Sequence, residues 1–180
     1  MPYFTVSARE LRLGKGFDII DIDHDGVTNL GDWEEFASYM CAQFRTPFES
    51  PIGTQVRNAV LSWWHGVPGP QDAIDGEMHK SQFTAHYGGT AEAEVAALIR
   101  RWVDAVFALC DGDADGWLSL REIAGVLRVH GVPEQVLTRT IQHFTVHDDG
   151  ISKDECAALM LDYYLGTDAR PPGSALFGEP

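Results

Sequence analysis

The sequence predicts an all-α fold, and three observations carry that prediction. Apolar residues recur at helical spacing on either side of short acidic, turn-rich segments, so that helix, acidic turn, helix repeats four times. No alternating apolar run is long enough to build a sheet. With 44 % hydrophobic and 11 % aromatic residues in 180, the chain has ample material to bury one core, and disorder is not expected.

Taken in order, Leu11, Phe17 and Ile20 define a helix leading into the first acidic turn, and Trp33, Phe36, Tyr39 and Met40 continue after it. "RTPFESPIGTQ", with two prolines and a glycine, reads as a connector. A helix is expected over residues 56–64, stopped by the glycines and prolines of "HGVPGPQDAIDGE", and another starts near Ser81 with Phe83 and Tyr87. "YGGT" marks a boundary between halves. Beyond it "AEAEVAALIRRWVDAVFALC" places Val95, Leu98, Trp102, Val106 and Leu109 on one stripe of the strongest helix in the chain. Another acidic turn, in the third of the four helix–turn–helix repeats, precedes a helix through Ile123 and Leu127, which "HGVP" ends. Helices over residues 136–144 and 154–165 flank "TVHDDGIS". The expected organisation is therefore residues 1–88, residues 89–165, and a proline- and glycine-containing tail over 166–180 with no helical pattern.

The formal net charge of −14 disfavours nucleic acid and anionic membrane as partners, because both would be repelled. No apolar run approaches the ~20 residues that span a bilayer, and "MPYFTVSARELRLGKG" lacks a secretory apolar core. Cys41, Cys110 and Cys156 are odd in number and widely spaced, as expected of reduced core thiols in a cytoplasmic protein.

The acidic turns carry the chemistry. "DIDHDGVTNLGD" (residues 21–32) aligns with "DGDADGWLSLRE" (residues 111–122). Asp21, Asp23 and Asp25 match Asp111, Asp113 and Asp115; Gly26 matches Gly116; Asp32 matches Glu122. A hard divalent cation such as Ca²⁺ takes six to eight oxygens, which a 12-residue loop supplies from positions 1, 3, 5, 7, 9 and 12. Three alternating carboxylates turn inward, and the sixth-position glycine permits the sharp bend. Position 7 offers a backbone carbonyl, from Val27 or Trp117. Position 9, Asn29 or Ser119, offers oxygen directly or orients a water. Mutual repulsion among the acids is relieved by a +2 ion. Solvated or helix-capping aspartates are the competing reading, but spacing, glycine and flanking helices coincide in both loops.

The loops differ at their ends. Glu122 is long enough to present both oxygens, whereas Asp32 is one methylene shorter, which favours fewer ligands and admits Mg²⁺. A weaker Ca²⁺ preference is therefore expected at the first loop. Thr28, at a position usually held by a branched apolar residue, argues against tight pairing of that loop with its neighbour. "QDAIDGEMHKSQ" puts Gln71, Ala73, Asp75 and Gln82 at ligand positions, too few acids for a cation; Met78 and Phe83 keep it as a scaffold pairing with the first loop. The fourth segment lacks one residue, with Thr145 and His147 replacing aspartates, so a vacant loop is expected, the alternative being a weak or distorted site through Asp149 and Glu155.

This is the EF-hand pattern, and the chain is similar to that family over most of its length. The four hands, long insertions and tail resemble the sarcoplasmic calcium-binding proteins and calexcitin more than calmodulin, and most closely the bacterial calerythrin-like proteins. The match spans residues 11–178. In those relatives the second hand is likewise defunct and the chain ends in a run resembling "TDARPPGSALFG"; the shortened fourth loop is a departure. The resemblance implies four hands in two packed pairs and a monomeric cytoplasmic Ca²⁺ buffer or signal modulator that is not an enzyme.

Two alternatives are open. A sensor would expose a methionine-rich groove to an unidentified protein target, but the chain has four methionines against five tryptophans and nine phenylalanines. A photoprotein-like luciferin-binding protein would line a cavity with Trp63, Trp64, Trp102, Tyr163 and Tyr164, although "LDYYLGTDARPP" supplies no histidine. Core packing explains the same aromatics. His143 and His147, four apart, lack a third ligand for Zn²⁺. No catalytic constellation is evident.

Overall fold

The computed structural model describes residues 7–68, 76–144, 150–168 and 171–177. Its helices are α1 (Ala8–Ile20), α2 (Leu30–Gln43), α3 (Pro51–Gly66), α4 (Lys80–Gly89), α5 (Glu92–Cys110), α6 (Leu120–Val129), α7 (Glu134–Phe144) and α8 (Lys153–Leu165). Short strands β1 (Val27–Asn29), β2 (Glu77–His79), β3 (Trp117–Leu118) and β4 (Ile151–Ser152) sit in the turns between them. The fold is all-α, with the strands forming two antiparallel ribbons, β1 with β2 and β3 with β4.

Local chemistry explains most helix starts. Ser7, Ser119 and Ser152 each build a capping box with the glutamate three residues on: Glu10, Glu122 and Glu155. Helix α3 begins earlier than its apolar spacing predicts, because Ser50 caps it and Pro51 occupies the first turn, where a missing N–H costs nothing. Helix α4 runs on through Gly88 and Gly89, so "YGGT" ends the helix rather than preceding its end. There Arg9 donates to the Tyr87 and Thr90 carbonyls, both at 2.9 Å.

Two expectations need correction. Thr28 does pair with the neighbouring segment: it lies opposite Met78 in the ribbon. It is 1 % exposed, and its hydroxyl accepts a 2.9 Å hydrogen bond from the Trp33 indole, so the polar atom is satisfied where an apolar side chain was anticipated. The tail is not patternless either, since Pro172–Phe177 form a 3₁₀ helix against α8. Its Phe177 ring stacks on Tyr163 at 4.1 Å and on His130 at 5.7 Å. Apolar burial, not helical periodicity, holds this segment.

The core is continuous across the expected boundary at residue 88. Phe36 stacks on Trp102 at 6.2 Å and Trp63 lies 6.3 Å from Tyr164, joining the Trp33, Trp64 and Phe83 cluster to the second half. All three cysteines are free and buried. Burial raises every one of their pKa values, that of Cys156 from 9.0 to about 12. Burial of the neutral Cys156 thiol therefore contributes stability that is intact below pH 9 and lost as pH rises from 9 towards 12. A thiol reagent at pH 8 is expected to leave the native chain unlabelled and to modify three thiols in denaturant.

Candidate metal centre

The two acidic turns share the same local hydrogen bonds and backbone bends. Each begins where a helix ends, with Asp21 N–H donating to Phe17 and Asp111 N–H to Phe107. The fourth and sixth positions are left-handed in both: His24 (φ 60) and Gly26 (φ 83), Ala114 (φ 58) and Gly116 (φ 85). Glycine takes that conformation without penalty, and the bend turns its N–H back onto the first aspartate. Gly26 donates to Asp21 Oδ2 at 2.9 Å and Gly116 to Asp111 Oδ2 at 3.0 Å. The fifth-position carboxylates accept from the seventh-position amides, Asp25 from Val27 and Asp115 from Trp117, both at 2.8 Å.

As a result, one oxygen each from Asp21, Asp23 and Asp25 lie within 4.8 Å of one another, and so do oxygens of Asp111, Asp113 and Asp115. Like charges at that distance repel by roughly 1 kcal/mol per pair in water and several times more at lower effective dielectric. Asp21 carries a further cost. It is 3 % exposed, and its Oδ1 has no hydrogen-bond partner. A buried carboxylate oxygen left bare is costly unless a cation fills its place. The residues present thus fit a divalent cation such as calcium.

The closing residues behave as their lengths require. Glu122 reaches back across the third loop, its Oε1 accepting from Gly112 N–H at 2.9 Å and its Oε2 from Ser119. Partial burial raises its pKa, but these hydrogen bonds and nearby Arg121 outweigh burial and hold it below the ordinary value. Among the described residues, the Asp32 carboxylate accepts only from Asn29 N–H, at 2.7 Å. The first loop instead opens into a cavity of about 260 Å³, bordered by its aspartates and by Glu35 of α2 and Glu77 of β2. Those two glutamates were not anticipated. The available signal was weak: Glu35 lies one helical turn beyond Asp32.

For the remaining loops, Gln71, Ala73 and Asp75 and also Thr145, His147 and Asp149 lie outside the described residues. So does one member of the His143–His147 pair. Gln82 and Glu155 both serve as helix-capping partners, accepting from His79 and Ser152 N–H. A separate apolar cavity of about 70 Å³ lies between the helices, bordered by Trp33, Trp63, Trp102, Tyr164, His130 and Phe177 among others. Of the five aromatics anticipated there, Trp64 and Tyr163 are instead buried in the packing around it. A histidine, His130, does reach it, from far upstream of the C-terminal stretch.

No protein-family model matches this sequence, and no curated protein matches it. Solved structures do. A calcium-binding protein from Streptomyces coelicolor, associated with calcium-mediated regulation, is 22 % identical with a TM-score of 0.69, over 89 % of this chain and 99 % of its own. The Ca²⁺-regulated photoprotein mitrocomin from the jellyfish Mitrocoma cellularia is 20 % identical with a TM-score of 0.71, over 98 % and 94 %. The chain shares their all-α fold. A sarcoplasmic calcium-binding protein from amphioxus, 15 % identical with a TM-score of 0.67 over 96 % and 97 %, has it too. These likenesses are consistent with paired EF-hand architecture. Among the described residues, no helix is long and apolar enough to cross a membrane.

Proposed function

We propose that this chain is a calcium-binding protein, a buffer or signal modulator rather than an enzyme, that takes ions in its first and third acidic turns. Asp21, Asp23, Asp25, Asp32 and the Val27 carbonyl would hold the first ion. Asp111, Asp113, Asp115, Glu122 and the Trp117 carbonyl would hold the second. The observation that carries the reading is the bare, buried Asp21 Oδ1 among converging carboxylates, in a loop whose construction is repeated at Asp111. The calcium-binding character of the structural neighbours supports it. On this reading residues 1–88 and 89–165 each act as a pair of hands, one working and one supporting, joined through the β1–β2 and β3–β4 ribbons. A cytoplasmic monomer completes the proposal.

Burial favours the buffer over a sensor with a protein target. Among the described residues, Met40, Met78 and Met160 are all buried, so these three present no adaptable methionine surface. The luciferin-binding alternative is weakened by size, because a cavity of about 70 Å³ is less than half the ~150 Å³ that accommodates benzene.

Calorimetric titration of metal-stripped protein with Ca²⁺, with Mg²⁺ present, tests the reading. Two ions are expected for the wild type and one each for Asp21→Ala and Asp111→Ala, with the site that survives in Asp111→Ala more tolerant of Mg²⁺. No uptake at millimolar Ca²⁺ would overturn it.

A further inference from the structure

We propose that Glu35 and Glu77 form an outer carboxylate pair that holds the water shell of the first loop's cation, compensating for the short Asp32. The inference rests on the reading of that loop as a metal site. Its starting point is the cavity. At about 260 Å³ it is many times what one water requires, so an ion can enter with part of its hydration intact. Asp32, held at Asn29, does not close that space.

Both glutamates are placed by the fold. Glu35 lies three residues beyond Asp32 on α2, a spacing that puts both on the same helix face. Glu77 is opposite Asn29, the ninth loop residue, in the β1–β2 ribbon, and opposed residues share a face. Thr28 and Met78, the next pair, face the core. Among the described residues the carboxylates of Glu35 and Glu77 make no salt bridge or hydrogen bond, whereas Arg57 pairs with Glu34, and Lys80 with Asp18. The two basic side chains are thus engaged with other acids, and Glu35 and Glu77 border the cavity without a counter-ion among the described residues.

The third loop makes the comparison. The residue equivalent to Glu35 there is Gly125, and extending the β3–β4 register by one residue past the Leu118–Ile151 pair puts Gly150 across from Ser119. Gly150 has φ +111, and a Cβ on it would overlap the Leu118 carbonyl, so no side chain can stand there. The loop with the long Glu122 thus has glycines at both outer positions, and the loop with the short Asp32 has glutamates at both. Six carboxylates border the first site. The inner aspartates contact the ion, while the outer pair accepts hydrogen bonds from its waters. Mg²⁺ keeps more of its waters than Ca²⁺, so the outer pair favours Mg²⁺ retention.

The test uses the full chain with Glu35→Gln, Glu77→Gln and the double substitution, titrated separately with Ca²⁺ and Mg²⁺. Tb³⁺ emission sensitised by Trp117 serves as the third-loop control. The double variant is expected to bind Mg²⁺ at the first loop about tenfold more weakly and Ca²⁺ less affected, with third-loop Tb³⁺ binding within twofold. The loss should persist in 1 M KCl, where screening acts within ~3 Å, and Glu35→Asp should show it too. Unchanged first-loop affinity, or a loss that vanishes in 1 M KCl, would overturn the proposal and leave the calcium reading standing. If Asp21→Ala leaves wild-type stoichiometry unaltered, the first loop binds nothing and both readings of it fail.

Discussion

Calcium added to the metal-stripped chain is expected to raise its melting temperature by about 8–16 °C for each site filled at a thousandfold excess over its Kd. Such an excess contributes about 4 kcal/mol per site, and a chain of this size gains roughly 2–4 °C per kcal/mol. The physical source is the state without metal. Three carboxylates within 4.8 Å repel one another, and Asp21 buries an oxygen with no partner. Asp21→Asn sharpens the point, because it should act with opposite sign in the two states. Removing one charge relieves repulsion, so with a chelator present the variant should melt at or above the wild type. With calcium it should melt below, having lost one site's increment. Scanning calorimetry in chelator and in millimolar calcium reads both. Equal melting temperatures of the wild type in the two conditions would sink the metal reading.

Arg12→Ala is expected to destabilise the chain by about 3 kcal/mol or more, lowering its melting temperature by roughly 6–12 °C. Arg12 is 5 % exposed, and its guanidinium donates to the Tyr163 and Gly166 carbonyls, both at 2.8 Å, and to that of Asp168. It also lies over the Tyr163 ring, 5.8 Å from its centroid. Positive charge at the C-terminal end of α8 complements the helix dipole. Truncation strips donors from three carbonyls that face helix α1, and each charge-assisted bond contributes on the order of 1.5–3 kcal/mol before rehydration offsets part of it. Lysine should rescue little, because a single ammonium cannot reproduce the planar fork that reaches several carbonyls. Chemical denaturation of the three proteins measures this. An alanine variant as stable as the wild type would show that the C-terminal segment is held by Phe177 packing alone.

The helices and the two acidic turns were legible because their information is local. A stripe such as Val95, Val106 and Leu109 needs only the helical period, and a loop ligand set needs only twelve consecutive residues. Helix α3 was found but begun too late, because Ser50 and Pro51 start it by capping rather than by apolar spacing. Thr28 was misjudged for a different reason. Its suitability depends on the Trp33 indole lying within hydrogen-bond reach, which a residue preference at one position does not express.

By itself the sequence determined that the chain is helical, that it has two complete acidic turns, and that the first closes with a shorter arm than the third. Tertiary structure alone decided what stands around them. It brought Glu77 to the first loop, and set Arg12 against carbonyls more than 150 residues away. It also packed Phe177 on His130 and left a cavity of about 70 Å³ between the helices. Hydrogen-bonded turns and helical stripes are specified by neighbours along the chain. Which distant side chains converge is set by how the helices pack, and that depends on the whole buried surface at once.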